Sequence, residues 1–166
     1  MSKMTVKHSR RESTTTEVLQ KFSPIKENLL NILHAMQDNE PQNYLSEADL
    51  EAVAEYLKIP KSAVMGVATY YSMYSLHPRG RYIIRVCVSP VCQLMKGDET
   101  LNTLQTLLGV HVGQTTPCGN FTLEISECLG HCAASPCMMV NRDVYDNLDA
   151  PKIAQILNRL ADEVQQ

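Results

Sequence analysis

The sequence predicts an α/β domain preceded by a small helical bundle, and three observations carry that prediction. Residues 22 to 78 show apolar spacing of the helical kind with caps at the breaks. From Arg81 the period changes to two, and strand-like and helical runs then alternate to the end of the chain. All six cysteines fall inside this second part, at positions 87, 92, 118, 128, 132 and 137.

The first element is expected at Ser23-Pro24, with Ser as N-cap and Pro at the first helical position, where its missing N–H costs nothing. Ile25, Leu29, Ile32, Leu33 and Met36 form its apolar stripe, and Pro41 lies beyond its end. Ser46 with Asp49 three residues on reads as a capping box for a second helix bearing Leu50, Val53, Ala54 and Leu57. Pro60 opens a third through Val64, Val67, Ala68 and Tyr71, which stops before His77-Pro78-Arg79-Gly80. Three amphipathic helices of this size cover one another.

Tyr82, Ile84 and Val86 alternate with Ile83, Arg85 and Cys87 in a β-branched run, so a strand is expected here, ending at Cys87. A helix bearing Leu94, Leu101, Leu104, Leu107 and Leu108 then runs to a Gly109 C-cap. Phe121, Leu123 and Ile125 mark a second strand leading into Cys128. Short apolar runs on either side of Asn141-Arg142 predict a hairpin. Leu148-Asp149 staples and caps a last helix with Ile153, Ile156, Leu157, Leu160 and Val164. Strand, helix, strand, hairpin, helix is an order that suits a thioredoxin-like α/β sandwich. The expected organisation is thus a disordered or extended tail over 1–21, a helical extension over 22–78 and the α/β domain over 79–166.

Composition excludes several classes. Of 166 residues 44% are hydrophobic and 20% charged, which is globular, and no run approaches the roughly 18 apolar residues of a membrane span. A net charge of −3, with no basic stripe interleaved with aromatics, argues against nucleic acid as a partner. The first residues lack a secretory apolar segment. They are basic and rich in Ser and Thr, as transit peptides are, but Glu12 and the missing amphipathic period favour a plain tail. The cysteines are therefore expected in a reducing cytoplasm, where disulfides are disfavoured and metal or redox use is the alternative.

Cys87 and Cys92 have four residues between them in C-V-S-P-V-C, Cys128 and Cys132 three in C-L-G-H-C, with thirty-five residues between the pairs. Two distant pairs of sulfur donors permit a [2Fe-2S] cluster, a structural zinc or two redox dithiols. The spacing favours the cluster. Structural zinc usually takes two-residue knuckles, and a thioredoxin-type dithiol needs C-x-x-C. One iron on each local pair would use Cys87 and Cys92, and Cys128 and Cys132. Cys118, in a T-P-C-G turn, and Cys137, in an apolar run, then read as packed thiols outside that shell. Four thiolates make the oxidised cluster dianionic. Backbone N–H groups and the N-terminus of the helix after Cys92 are expected to stabilise it, with Gly130 permitting close backbone approach. Ser89 reads as a hydrogen-bonder to sulfur, His131 as a non-ligand, and His77 and His111 as surface residues. No phosphate loop, catalytic triad or paired carboxylate signals a substrate site in this chain.

These residues also carry a resemblance. C-V-S-P-V-C followed by T-T-P-C-G-N-F-T-L-E-I-S-E-C-L-G-H-C closely resembles the thioredoxin-like [2Fe-2S] subunit of the NADH dehydrogenase module of complex I. That subunit recurs in NAD(P)-linked, often bifurcating, hydrogenases and in formate dehydrogenases. The stretch I-P-K-S-A-V-M-G-V-A-T-Y-Y-S-M-Y-S-L-H-P-R-G is similar to the helical segment that precedes the first strand there, so the likeness covers about residue 25 to the C-terminus. It implies Cys87, Cys92, Cys128 and Cys132 as the cluster ligands. It also implies a larger partner, a flavoprotein subunit binding FMN and NAD(H) beside further iron-sulfur subunits, which the helical extension helps to clamp. The chain departs from the pattern at Cys118, where an acidic residue is usual, and at Cys137, where an aliphatic is. Two extra thiols near the cluster suggest an anaerobic setting. The resulting expectation is an electron-transfer subunit without a substrate site of its own. A bifurcating hydrogenase or formate dehydrogenase is favoured over respiratory complex I as its parent. It is expected in the cytoplasm or peripheral to a membrane complex, with no membrane insertion. A zinc-stabilised interaction module and a freestanding ferredoxin of the same fold are the alternatives.

Overall fold

A computed structural model describes residues 15–165, so most of the expected tail lies outside the described residues. The chain divides between Pro78 and Arg79 into two compact units. No helix among the described residues is long and apolar enough to cross a membrane.

The first unit is helical. Residues 15–19 form a helical turn where a structureless tail was expected, and Val18 and Leu19 are buried in the unit's core. The first long helix, α1 (Leu29–Asn39), starts later than Ser23-Pro24 suggests. Ile25 is extended at φ −121° and half exposed, and a 3-10 turn, Lys26–Asn28, intervenes. The apolar stripe therefore begins at Leu29. Helix α2 (Glu47–Leu57) opens with the expected capping box: Asp49 N–H donates to Ser46 Oγ at 3.2 Å, and Ser46 N–H to Asp49 Oδ2 at 2.9 Å. Pro60 is the N-cap of α3 (Lys61–Tyr70) rather than its first residue. Ile32, Leu33, Leu50, Val53 and Val64 interlock as the core, and Tyr74 reaches in to donate its hydroxyl to the carbonyl of Leu30 at 2.9 Å.

The second unit is a four-stranded mixed sheet in the order β2-β1-β3-β4, the thioredoxin-like arrangement. Strand β1 (Tyr82–Cys87) pairs in parallel with β2 (Phe121–Ser126) and antiparallel with β3 (Met138–Val140), which turns through Asn141-Arg142 into β4 (Asp143–Tyr145). Alternation sorts the two faces of the sheet. Ile84, Val86, Leu123, Met138 and Val140 enter one core with Leu104, Ile153 and Leu157, so two helices, Gly97–Leu108 and Ala150–Gln165, cover that face. On the other face, Arg85 and Glu124 are register partners across the parallel pair and meet at 3.0 Å. Arg79, almost fully buried, adds a second contact to Glu124 at 3.2 Å.

The helix expected after Cys92 is two helices. Pro90–Leu94 forms a short α4, and Gly97–Leu108 forms α5 after a break at Lys96, which takes φ +70°. The break turns Leu94 into solvent, 86% exposed, although periodicity places it on the apolar stripe. Gly109 closes α5 at φ +65°, as expected of a C-cap, and Asp149 Oδ1 accepts from Lys152 N–H at 2.8 Å at the start of the final helix, α6 (Ala150–Gln165).

Candidate metal centre

Two loops leave the carboxyl ends of neighbouring parallel strands. Cys87 and Ser126 are the last register pair of β1 and β2, and Val88 N–H still donates to Ser126 O at 2.9 Å. Both cysteine loops therefore begin side by side. In the first, Pro90 sets the opening turn of α4, so Cys92 lies within that helix rather than before one, which corrects the expected geometry. Cys87 and Cys92 are both buried, at 1% and 0% exposure. In the second loop Cys128 is exposed, Cys132 is half-buried, and their sulfurs are 3.3 Å apart.

Gly130 takes φ +83°, a conformation glycine adopts freely, and this aims its N–H at Cys128 Sγ at 3.4 Å. No protein atom lies within 4 Å of where its Cβ would be, so within the protein itself it is the backbone angle that calls for glycine. The loop is pinned behind Cys132. Ser135 Oγ donates to Cys132 O at 2.9 Å, Asn147 N–H to Ala134 O at 2.7 Å, and Leu148 N–H to Pro136 O at 3.1 Å.

Cys137 is the residue whose place the sequence did not disclose. It is buried, as expected of a packed thiol, but antiparallel pairing of β3 with β1 sets it beside Cys87, whose N–H donates to Cys137 O at 3.2 Å. Its sulfur lies 3.8 Å from that of Cys92, and the sulfurs of Cys87, Cys92 and Cys137 all fall within 4.8 Å of one another. The hairpin at Asn141-Arg142 was legible, but its pairing with β1 was not, and one further step of that pairing puts position 137 opposite position 87. Cys118 goes the other way. It is exposed in the turn before β2, bonded to the Thr116 hydroxyl at 3.3 Å, and the six-residue strand, about 20 Å long, separates it from the loop that follows β2. Only one of the two extra thiols is near the centre.

The protonation pattern distinguishes the sulfurs. Burial pushes the Cys87 thiol up, but hydrogen bonding with the Ser89 hydroxyl and N–H, with Cys92 and with Leu129 N–H outweighs it and brings it down to about 7. The Ser89 hydroxyl accepts from Cys87 Sγ at 3.4 Å while that sulfur is a thiol, and would donate to it as a thiolate. Gly130 N–H, then the Cys132 thiol, lower Cys128. Its partner Cys132 is raised by the hydrogen bond to Cys128 and by burial. Burial, and then Cys92 and Cys87, push Cys137 up to about 12. Ser89 reaches the sulfurs of both loops, lowering Cys87 and, more weakly, Cys128. His131 is exposed with Nδ1 3.7 Å from Asp146 Oδ2, and His77 and His111 are exposed.

The donor set suits an iron-sulfur group: sulfur from two converging loops, N–H groups aimed at it, and a deep and a solvent-facing side. Two sulfurs on one tetrahedral metal with bonds of about 2.3 Å lie about 3.8 Å apart. The 3.3 Å separation of Cys128 from Cys132 is close to that, and the sulfurs of Cys87 and Cys92 lie within 4.8 Å of each other.

Known proteins share these features. The sequence model of the thioredoxin-like [2Fe-2S] ferredoxin family matches residues 15–161. The chain is 35% identical over 138 residues to an NADH-quinone oxidoreductase component of Aquifex aeolicus, covering 83% of this chain and 85% of that protein. It is 31% identical over 135 residues to the NADP-reducing hydrogenase component HndA of Solidesulfovibrio fructosivorans, covering 81% and 78%. In fold it is similar to a chain of the NAD+-reducing [NiFe]-hydrogenase in its air-oxidised state, with a TM-score of 0.73 at 20% identity. The match covers 88% of this chain and 24% of that one.

Proposed function

Because the chain belongs to the thioredoxin-like [2Fe-2S] ferredoxin family, with all but the C-terminal residues of its described part matched, we propose that it is the electron-transfer subunit of a multi-subunit NAD(P)-linked oxidoreductase. The carrying observation is the pair of cysteine loops that start together at the ends of β1 and β2. When bound, the cluster supplies one-electron chemistry and leaves hydride handling to a flavin elsewhere.

In this reading Cys87 and Cys92 hold one iron in the dry interior, and Cys128 and Cys132 hold the other at the surface. Cys137, buried beside Cys92 on β3's approach to β1, stays outside the ligand set. Leu129 and Gly130 N–H groups and the Ser89 hydroxyl face the sulfurs and offset the negative charge of the centre. The exposed edge at Cys128 is where the electron enters and leaves. Leu94 and Val91, exposed on the helix that carries Cys92, and Ile125 at the end of β2 give this end of the domain an apolar surface. A flavoprotein subunit binding FMN and NAD(H), with further iron-sulfur subunits, fits that surface as the partner. The chain's relatives serve both quinone-linked and hydrogenase complexes; the extra thiol at Cys137, beside the centre, favours an anaerobic hydrogenase or formate dehydrogenase.

Anaerobic purification from the native source tests this. Iron and sulfide in equal amounts, visible absorbance, an EPR signal on reduction and a co-purifying flavoprotein identified by mass spectrometry are expected. Colourless protein holding stoichiometric zinc would overturn the reading.

A further inference from the structure

Cys87, Cys92 and Cys137 form a closed triangle of sulfurs within 4.8 Å of one another, all but sealed from solvent at 1%, 0% and 1% exposure. Three sulfurs around one trigonal ion at about 2.3 Å stand about 4.0 Å apart, so the 3.8 Å edge between Cys92 and Cys137 needs little movement. We propose that the cluster-free chain uses this triangle as a three-thiolate site for a single monovalent copper ion.

Several features favour Cu(I) over other metals. Three cysteine sulfurs form the triangle, and soft sulfur donors select Cu(I), zinc or iron-sulfur clusters. The neighbouring oxygen of Ser135 is 3.5 Å from Cys92 Sγ, but its proton is committed to the Cys132 carbonyl. Zinc completes a tetrahedron and needs a fourth donor from outside the triangle; Cu(I) is satisfied by three. Charge points the same way. Two ferric ions, two sulfides and four thiolates sum to −2, and one Cu(I) with three thiolates sums to −2 as well. The Ser89 and Leu129 donors that lower the Cys87 thiol therefore meet the same charge in either state. Binding releases the three thiol protons, because a coordinated thiol is deprotonated outright, Cys137 included. Cys87 and Cys92 are shared, so copper and the cluster exclude one another; that consequence, unlike copper binding itself, rests on the ligand assignment above.

The test is an anaerobic Cu(I) titration of the full-length, iron-free chain against a chelator whose coloured complex reports free copper. One Cu(I) per chain is expected, with three sulfur scatterers in X-ray absorption. Cys137→Val and the smaller change Cys137→Ser are expected to weaken it by about a hundredfold or more, since loss even of an outer-shell partner costs 10–100-fold. The Cys128→Ser/Cys132→Ser double variant is expected to retain it. Unchanged affinity in both Cys137 variants, or copper lost from the double variant, would overturn the site. Reconstituting the Cys137 variants with iron and sulfide is a separate readout: loss of their cluster spectrum would overturn the ligand assignment and leave the titration to stand or fall by itself.

Discussion

Gly97 packs on the carbonyl of Cys92: a Cβ at position 97 would stand 2.8 Å from that oxygen and 2.9 Å from its carbon. Gly97 opens α5, where alanine would otherwise gain about 1 kcal/mol of helix propensity. The obstacle is backbone and cannot rotate away. Gly97→Ala is therefore expected to destabilise the domain by about 1–3 kcal/mol, as overpacking does, and to loosen the turn that carries Cys92. Urea unfolding and the rate of iron release to a chelator measure the two effects; unchanged iron retention would disconnect Gly97 from the centre.

The hydroxyl of Ser89 serves both loops. Removing a donor to sulfur disfavours the more negative, reduced state. Ser89→Ala is expected to move the reduction potential down by about 20–60 mV, the equivalent of about 0.5–1.4 kcal/mol for one electron. Spectroelectrochemical titration with an unchanged EPR line shape checks this, and an upward shift would contradict the assigned donor direction.

Ligand identity separates the cysteines. Cys128→Ser is expected to destroy or distort the cluster, whereas Cys118→Ser and Cys137→Ser leave its visible and EPR spectra intact. A distorted spectrum in Cys137→Ser would exchange the roles of Cys137 and one of the four.

Tyr74 gives the helical unit an alkaline limit. Burial, then Tyr71, push its hydroxyl up from the ordinary 10 to about 12. A group raised in the folded state stabilises fully below its unfolded value and ceases to as pH climbs through the folded one, so this contribution fades between about pH 10 and 12. Tyr74→Phe loses the bond to Leu30 O, about 1 kcal/mol at neutral pH, and with it that part of the alkaline decline. Parallel unfolding titrations of both proteins across this range check the difference.

What the sequence disclosed was local. The Ser46–Asp49 box, the Asp149 cap, the period-two strands and the turn at Asn141 depend on residues within a few positions of one another, and the structure has them. The pairing of β1 with β3 joins residues more than fifty positions apart, so the nearness of Cys137 to Cys87 had no local mark. The placement of Cys118 did have one, since the T-P-C-G turn precedes the strand that Cys128 follows. The split after Cys92 escaped because Lys96 takes a left-handed angle that its residue type does not announce. Ser23-Pro24 offered a helix start that the extended Ile25 declines.

The parallel pairing of β1 and β2 has a practical corollary for anyone redesigning this chain. Spacing between the two cysteine-bearing turns is dictated by a ladder of main-chain bonds and owes nothing to the length of the crossover joining them. The exposed turn at Pro117-Cys118, at the remote end of that crossover, is the place for an insertion, tag or reporter peptide; Val110 in the core and the main-chain bonds of Gly113, Gln114 and Thr116 to β2 exclude the residues before it.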